Sequence, residues 1–590
     1  MVVGGFVDEL RKTLGRSARI ARQQGLRTLA NLAWEKARKH EFHVLGPSIS
    51  DADYARWIET NESTSQSTLL AQRSAANQLV YQPTITIITP VWNPQIAYLT
   101  AALDSVLLQT YSNWELCVAD GGSNDDVRNV LQKYAERDAR VHVQFLGENL
   151  GISENSNKAI QFSQGEFVTF LDHDDLLAPN ALFEIADKLN QRADIDIMYS
   201  DSDRITHEGN RTDPFFKPDW SPEMMVSGNY LAHLCLIKSC LVKALGGFRH
   251  EMDGAQDWDL FLRATDRTAN VSHLPKILYH WRETSSSVSS AGYAAKPYAK
   301  NAQRLAVDEY LKRNRLPAKA SFQRSGCLKA LWDLPDRPLI SIIIWASKTS
   351  SSIKRCVHSI IRESSYKNFE ILVVSSEDQT LSAVDRVRVV MDGGALDYSS
   401  ANNLGASEAK GQVLVFLNDR LEVLSSDWLE QLAGWALLPQ VAAVGAKILY
   451  PDHRIFHGGV IAGLPGYLFQ GMSEGRLSLL GHTEWYRDLV AVSGGCLATK
   501  TKLFRDLGGF ETKHSEAADV GFCLRARIEG GRVLYIPYAR LILRGISQIA
   551  APTAQMLEMP DYRRIMAGGD PYFNPNLSYE NTIPMLSVRK

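Results

Sequence analysis

Phe167-Val168-Thr169-Phe170-Leu171-Asp172-His173-Asp174-Asp175 is the stretch on which the fold turns. Its first five residues are β-branched, aromatic or aliphatic, the pattern of a strand buried on both faces, and the run stops abruptly in carboxylates. Such a strand delivers its acids to the carboxyl edge of an α/β sheet, where these sheets bind ligands. Hard oxygen ligands on a short charged turn suit Mg²⁺ or Mn²⁺, which keep several waters and share the rest of their coordination with a substrate diphosphate. An acidic turn after a strand also reads as a solvated loop or a helix cap, so the neighbouring segments decide.

Upstream, Thr84-Ile85-Thr86-Ile87-Ile88 reads as a first strand running into the breaker-rich turn Thr89-Pro90-Val91-Trp92-Asn93-Pro94. Leu99, Leu103, Val106 and Leu107 then recur at helical spacing, and a second strand, Trp114 to Ala119, ends in Asp120-Gly121-Gly122-Ser123. This is a βαβ unit with polar loops on one edge. Asn149-Leu150-Gly151 follows, then the acidic cluster, then Gly246-Gly247-Phe248 ahead of Gln256-Asp257-Trp258-Asp259-Leu260, and finally Tyr279-His280-Trp281-Arg282.

These motifs, in this order over residues 84 to about 290, resemble the family 2 glycosyltransferases of GT-A fold. The resemblance implies an inverting enzyme that takes a sugar from a nucleotide-sugar donor. In such a reaction an acceptor hydroxyl attacks the anomeric carbon while a nucleoside diphosphate leaves from the opposite face. Charge grows on the leaving group and a proton must be removed from the nucleophile. By resemblance, Asp172 and Asp174 hold the divalent ion, with His280 as a third candidate, and Asp257 is the base. Thr89, Pro90, Val91, Asn93, Asp120, Asn157, Asp172, His173 and Arg282 fall on the donor side. Asp201, Asp203, Trp220, Trp258 and Asp259 fall in the sugar and acceptor region. For several of these a structural reading stays open: Asp257 and Asp259 as acids in a first helical turn, Asn155 and Asn157 as helix caps, Trp220 as core, His280 as packing.

The rest of the chain repeats the pattern. Gly165 to Asp172 aligns with Gly411 to Asn418, Gly246-Gly247-Phe248 with Gly508-Gly509-Phe510, and Asn113-Trp114-Glu115-Leu116 with Asn368-Phe369-Glu370-Ile371. Two tandem GT-A-like domains of α/β class are therefore expected. In this register Asp120 falls on Ser375, Asp172 on Asn418, Asp174 on Arg420, Asp259 on Gly521 and His280 on Ile542, while Asp257 keeps its type as Asp519 and Arg282 as Arg544. A guanidinium in place of a metal-binding carboxylate repels a divalent cation. The second domain is thus read as serving acceptor binding, dimerisation or stabilisation; the alternative keeps it active without metal, Arg420 and Arg544 offsetting diphosphate charge.

The expected organisation is a basic helical extension over residues 1–45, a connector over 46–83, a catalytic domain over 84–300, a helical linker over 301–336, a second domain over 337–550 and a loop-rich tail over 551–590. The 590 residues are 45% hydrophobic and 22% charged, with a net charge of −2, which gives no reason to expect nucleic acid. Seven scattered cysteines without a Cys-x-x-Cys spacing point to neither a disulfide framework nor a zinc site and fit a reducing cytoplasm. The most apolar run, near Leu432 to Leu449, is broken by Pro439, Gln440 and Lys447, so no membrane span is expected. Residues 1–40 read as a basic amphipathic helix suited to an anionic membrane surface, or alternatively to the catalytic domain or a dimer contact. The implied setting is bacterial surface polysaccharide synthesis, such as O-antigen, on a saccharide or lipid-linked acceptor at the inner membrane face. Donor sugar and base stay open among UDP-, GDP- and dTDP-sugars. Two other readings are a non-catalytic carbohydrate-binding scaffold and a nucleotidyltransferase, the latter disfavoured because Thr89 to Pro94 lacks a Gly-rich basic loop.

Overall fold

The computed structural model describes residues 49–587 except 63, 284–296, 347–350, 377–380, 382–384, 392, 394–395, 546–555 and 557. The basic segment 1–40 lies outside the described residues. Within them, no helix is long and apolar enough to cross a membrane.

The front half is built on strands β1 (Ile85–Val91), β2 (Trp114–Asp120), β3 (Val141–Phe145), β4 (Phe167–Phe170), β5 (Leu176–Leu177), β6 (Ile197–Ile205), β7 (Arg211–Phe215), β8 (Cys235–Lys238) and β9 (Val271–Arg282). They form one mixed sheet in the order β3-β2-β1-β4-β8-β6-β9-β5, with β7 paired to β6. β1, β2, β3 and β4 are parallel, which requires crossover helices, and the inner strands β1, β2 and β4 are buried almost throughout while the edge strand β3 (Val141-His142-Val143-Gln144-Phe145) alternates. Helices Ile96–Leu107, Asp125–Arg137 and Ala181–Gln191 send Leu99, Leu103, Val127, Leu131, Leu182 and Ile185 into the core on one face. The second of these helices starts where Asn124 accepts a hydrogen bond from the Val127 N–H at 3.1 Å.

A hairpin, β10 (Ala318–Phe322) with β11 (Leu328–Trp332), follows the helix Pro297–Arg313. The expected linker is therefore only partly helical. The rear half comprises β12 (Ile340–Ala346), β13 (Phe369–Ser375), β14 (Val387–Met391), β15 (Val413–Asn418), β16 (Leu421–Val423), β17 (Val441–Leu449), β18 (Ile455–His457), β19 (Leu477–Ser478), β20 (Gly481–His482), β21 (Arg487–Asp488), β22 (Cys496–Lys500) and β23 (Arg532–Leu543). Its main sheet runs β14-β13-β12-β15-β22-β17-β23-β16, the front order strand for strand. Registers repeat as well: Val91 pairs with Asp120 as Ala346 pairs with Ser375. The expected α/β class with two tandem domains is the fold observed.

One continuous apolar cluster runs from the second face of the front sheet (Ile88, Val168, Ile237) through Tyr54, Trp57 and Phe216 into the whole rear half. Polar contacts seal the junction. Ser221 Oγ donates to Asp488 at 2.7 Å, Arg532 pairs with Glu223 at 2.5 Å, and the Phe216 N–H donates to the Leu479 carbonyl at 2.8 Å. The segment read as a tail also enters this junction: Asn574 Nδ2 reaches Asp201 Oδ2 at 2.8 Å and the Lys217 carbonyl at 2.9 Å. The residues read as a connector carry two helices, Asp51–Asn61 and Gln66–Ala76, and the first buries Tyr54 and Trp57.

Candidate active site

Strand pairing brings the nucleotide-side candidates together. Thr89, Pro90 and Val91 close β1, and Asp120 closes β2 directly opposite Val91. Asp120 is fully buried and accepts from the Ser123 N–H at 3.2 Å. Asn93 takes a left-handed conformation (φ 44°), its N–H donating to Ser123 Oγ and its side-chain oxygen accepting from the Asn124 N–H. The two loops are thus tied into one rigid lip. Thr89 Oγ1, buried beside it, has no hydrogen-bond partner among the described residues, which is unusual for a buried hydroxyl.

The acidic turn follows β4. Asp175 is its anchor: buried, it accepts from the Tyr279 hydroxyl at 2.5 Å and the Arg282 N–H at 2.7 Å. Arg282 Nε in turn donates to the Asp174 carbonyl at 2.7 Å, and its guanidinium lies 4.5 Å from the centre of the Tyr98 ring. Arg282 therefore holds the backbone of the turn. Asp172 and Asp174 remain half-buried. Burial raises the Asp174 pKa, with Asp172 adding to the rise against His173 and Arg282. Carboxylates crowded in this way gain from a cation, and two of them with waters and a diphosphate match what Mg²⁺ or Mn²⁺ takes. His173 Nδ1 lies 3.8 Å from Asp174.

His280 gives its Nδ1 to Asp203 at 2.6 Å, an arrangement that orients the other ring nitrogen outward. Yet among the described residues Cys327, His482 and Glu484 alone form a triad whose ligand atoms lie within 4.8 Å of one another. Asp172, Asp174 and His280 are not gathered that closely. In this triad, between the β10–β11 hairpin and the rear half, burial first, then Lys447 and Arg487, push the His482 pKa down to about 3, and those two cations face the same space.

Asp257 stands in the first turn of the helix Gln256–Thr265 and receives Asn229 Nδ2 at 2.9 Å. Burial raises its pKa, opposed by His233 and reinforced by Asp172, so it shares one field with the acidic turn. The oxygen of the same Asn229 amide is buried without a partner among the described residues.

The acceptor-side acids fare differently. Asp201 is fully buried between His273 Nε2 (2.9 Å), the Lys217 N–H (2.8 Å) and Asn574. Asp203, equally buried, takes the Tyr54 hydroxyl (2.6 Å), His280 and Arg211. Asp259 is clamped by Arg249 and Arg263. Trp258 is 5% exposed and donates Nε1 to the Met225 carbonyl. These four side chains are engaged within the fold; Trp220, stacked on Tyr230 at 6.2 Å, stays partly exposed. Asn157 departs from the donor expectation too. Its amide grips the N–H and carbonyl of Phe248 at 2.8 and 2.9 Å, and Asn403 grips Phe510 identically in the rear half.

Sequence reasoning missed His233 and Lys217. The His233 ring stacks on Tyr279 at 4.8 Å, half-buried, electrostatically coupled to both Asp257 and Asp174, and burial lowers its pKa to about 4. Lys217, fully buried, has its pKa lowered to about 7 by desolvation. Neither lies in a periodic run, and a lysine after Phe215-Phe216 carries no signal of burial.

The rear half lacks this arrangement. Asp519, the counterpart of Asp257, spends its carboxylate on the Gly494 and Val520 N–H groups at 2.5 and 2.8 Å. A Cβ on Gly494 would lie 2.0 Å from the Tyr398 hydroxyl and 3.2 Å from Asp519 Cβ, so the backbone that donates to the acid is closely packed. Arg544 pairs with Glu422 at 3.1 Å.

Two copies of one mixed sheet, with Asp172 and Asp174 after β4 in the front copy and Asn418 and Arg420 at the equivalent positions in the rear, define an unequal tandem repeat of α/β class. The chain belongs to glycosyl transferase family 2, whose model matches residues 86–239 and 341–507. It is 36% identical over 86% of its length to the uncharacterized protein y4gI of Sinorhizobium fredii, and 31% identical over 91% to the O-antigen biosynthesis protein RfbC of Myxococcus xanthus. It spans 59% and 43% of those two relatives. Among solved structures, S. aureus TarS 1–349 in complex with UDP-GlcNAc aligns with 39% of this chain and 72% of its own, at 20% identity and a TM-score of 0.32.

Proposed function

We propose that the chain is an inverting glycosyltransferase that moves a sugar from a nucleotide-sugar donor to a saccharide or lipid-linked acceptor in bacterial surface polysaccharide synthesis, with the reaction confined to the front half. One observation carries the reading. At equivalent positions the front edge presents Asp172, Asp174 and a half-buried Asp257, while the rear presents Asn418, Arg420 and an equally half-buried Asp519 whose two oxygens accept from the Gly494 and Val520 N–H groups.

Asp257 removes the acceptor proton, and the field of the acidic turn, which raises its pKa, strengthens it as a base. Asp172 and Asp174 hold a divalent ion, which when bound supplies charge neutralisation at the leaving diphosphate. Arg282 fixes the turn that carries both acids. The lip of Thr89 to Asn93 with Asp120 receives the nucleoside, where Thr89 Oγ1 has an unused hydrogen-bonding capacity. The name of the Myxococcus relative supports a role in O-antigen assembly. The rear half supports the front, and with Arg544 tied to Glu422 its metal-free activity is the weaker reading.

The test is a panel of UDP-, GDP- and dTDP-sugars with Mn²⁺, assayed for released nucleoside diphosphate. Release by the parent and its loss in Asp257→Asn, but not in Asp519→Asn, is expected. Loss with Asp519→Asn alone would refute the assignment.

A further inference from the structure

The rear half contributes more than a shared core. Asn574 Nδ2, beyond the rear sheet, bonds to Asp201 Oδ2 at 2.8 Å and to the Lys217 carbonyl at 2.9 Å. Asp201 accepts from the Lys217 N–H at 2.8 Å, so both ends of the Lys217 backbone are fixed by one amide and one carboxylate. The Lys217 ammonium, fully buried, then donates to three consecutive carbonyls, those of Leu231, Ala232 and His233, at 3.4, 3.3 and 3.0 Å. The route ends on the backbone of His233.

His233 is set apart from the other buried-network histidines. His273 and His280 each bond a buried aspartate. The His233 ring is instead fixed by its faces and edges, against Tyr279 at 4.8 Å and Trp281 at 6.1 Å, and none of its hydrogen bonds is to a described residue. It is half-buried, like Asp257, Asp172 and Asp174, and lies within the fields of both Asp257 and Asp174. The Tyr279 on which the ring stacks donates its hydroxyl to Asp175 of the acidic turn, so the ring stands beside the diphosphate address, next to which a transferred sugar must lie in an in-line displacement. A rigid ring there, whose nitrogens bond no described residue, suits a sugar hydroxyl.

We propose that His233 hydrogen-bonds a hydroxyl of the transferred sugar, and that the rear half sets its position through Asn574, Asp201 and Lys217. This rests on the front-half reading above. His233 is a substrate-contacting residue, and Asn574 is a positioning residue that acts through it.

The test measures binding of the full chain to UDP-, GDP- and dTDP-sugars and to the matching nucleoside diphosphates, each with Mn²⁺, by calorimetry. His233→Ala weakens the preferred nucleotide sugar about tenfold, the worth of one neutral hydrogen bond with its desolvation, and leaves the nucleoside diphosphate unchanged. His233→Asn, which keeps a donor and an acceptor, restores part of the loss. Asn574→Ala weakens the sugar donor in the same selective way, and the double variant is no weaker than His233→Ala alone. Equal loss for sugar donor and diphosphate, or no loss in His233→Ala, overturns the contact. Additive effects in the double variant overturn the route from the rear half. Asp172→Asn with Asp174→Asn is the control on the underlying reading: if the pair leaves diphosphate binding intact, that reading fails instead, and with it this inference.

Discussion

Replacing Asp257 by Asn separates chemistry from scaffold more cleanly than any other single change. The two side chains have the same shape, and the carbonyl of the new amide still accepts from Asn229 Nδ2, which now reaches Asp257 at 2.9 Å. No cavity is made. What disappears is the ability to take a proton, which general-base catalysis values at about 10² to 10⁴ in rate, or roughly 3 to 5 kcal/mol of barrier. Transfer with saturating donor and acceptor is expected to fall by that factor while KM for the donor changes little. The pH profile carries a second signature. Burial and Asp172 raise the Asp257 pKa, so the base form is lost as pH falls through a value above the ordinary carboxylate range. The parent shows that acid limb and the variant loses it. A coupled assay of nucleoside diphosphate release over pH 4 to 8 reads both quantities. A variant within tenfold of the parent, with the acid limb intact, would refute the assignment of Asp257 as base.

Three further outcomes follow from the geometry. Asn157→Ala strips partners from the Phe248 N–H and carbonyl, so it lowers the thermal midpoint, by about 1 to 3 kcal/mol of stability, and leaves donor KM unchanged; a raised KM with unchanged stability would return Asn157 to the donor site. Gly228→Ala places a Cβ 2.6 Å from the Trp485 ring across the junction of the halves, and this overpacking costs about 1 to 3 kcal/mol, read as a lower midpoint in calorimetry. His457 is fully buried, bonded to the Ala446 carbonyl and the Ser493 N–H, and burial lowers its pKa from 6.5 to about 4. Because the unfolded chain then binds the proton first, His457 removes at most about 3 kcal/mol of stability as pH falls from 6.5 to 4, and His457→Gln flattens the midpoint over that window.

The two sheets were legible because buried parallel strands write themselves as continuous apolar runs, and the Gly165 to Asp172 run recurs almost intact at Gly411 to Asn418. The tandem register followed from the same runs, and the strand order confirms it. The candidate site was legible where motif and strand end coincide, as at Asp120 and at Asp172 to Asp175. It was illegible wherever an acid's partner lies far along the chain. Asp203 meets Tyr54 and Asp201 meets Asn574, neither of which a local pattern predicts, while Arg263 one turn after Asp259 is the exception that helical spacing could have shown. An aspartate in a sugar-binding motif and an aspartate neutralised in a core look alike in sequence. His233 was hidden for the opposite reason: it lies in the irregular segment between Ser227 and Cys235, and only the folded chain brings it to Asp257.

The account stands or falls on which half binds the cation and performs transfer. The direct measurement compares sugar transfer, with Mn²⁺ titrated, in the parent, in the double variant Asp172→Asn with Asp174→Asn, and in the double variant Asn418→Ala with Arg420→Ala. The account predicts that the first pair abolishes Mn²⁺-dependent transfer and that the second leaves it at the parental level. Full transfer in the first pair, or its loss in the second, would contradict it.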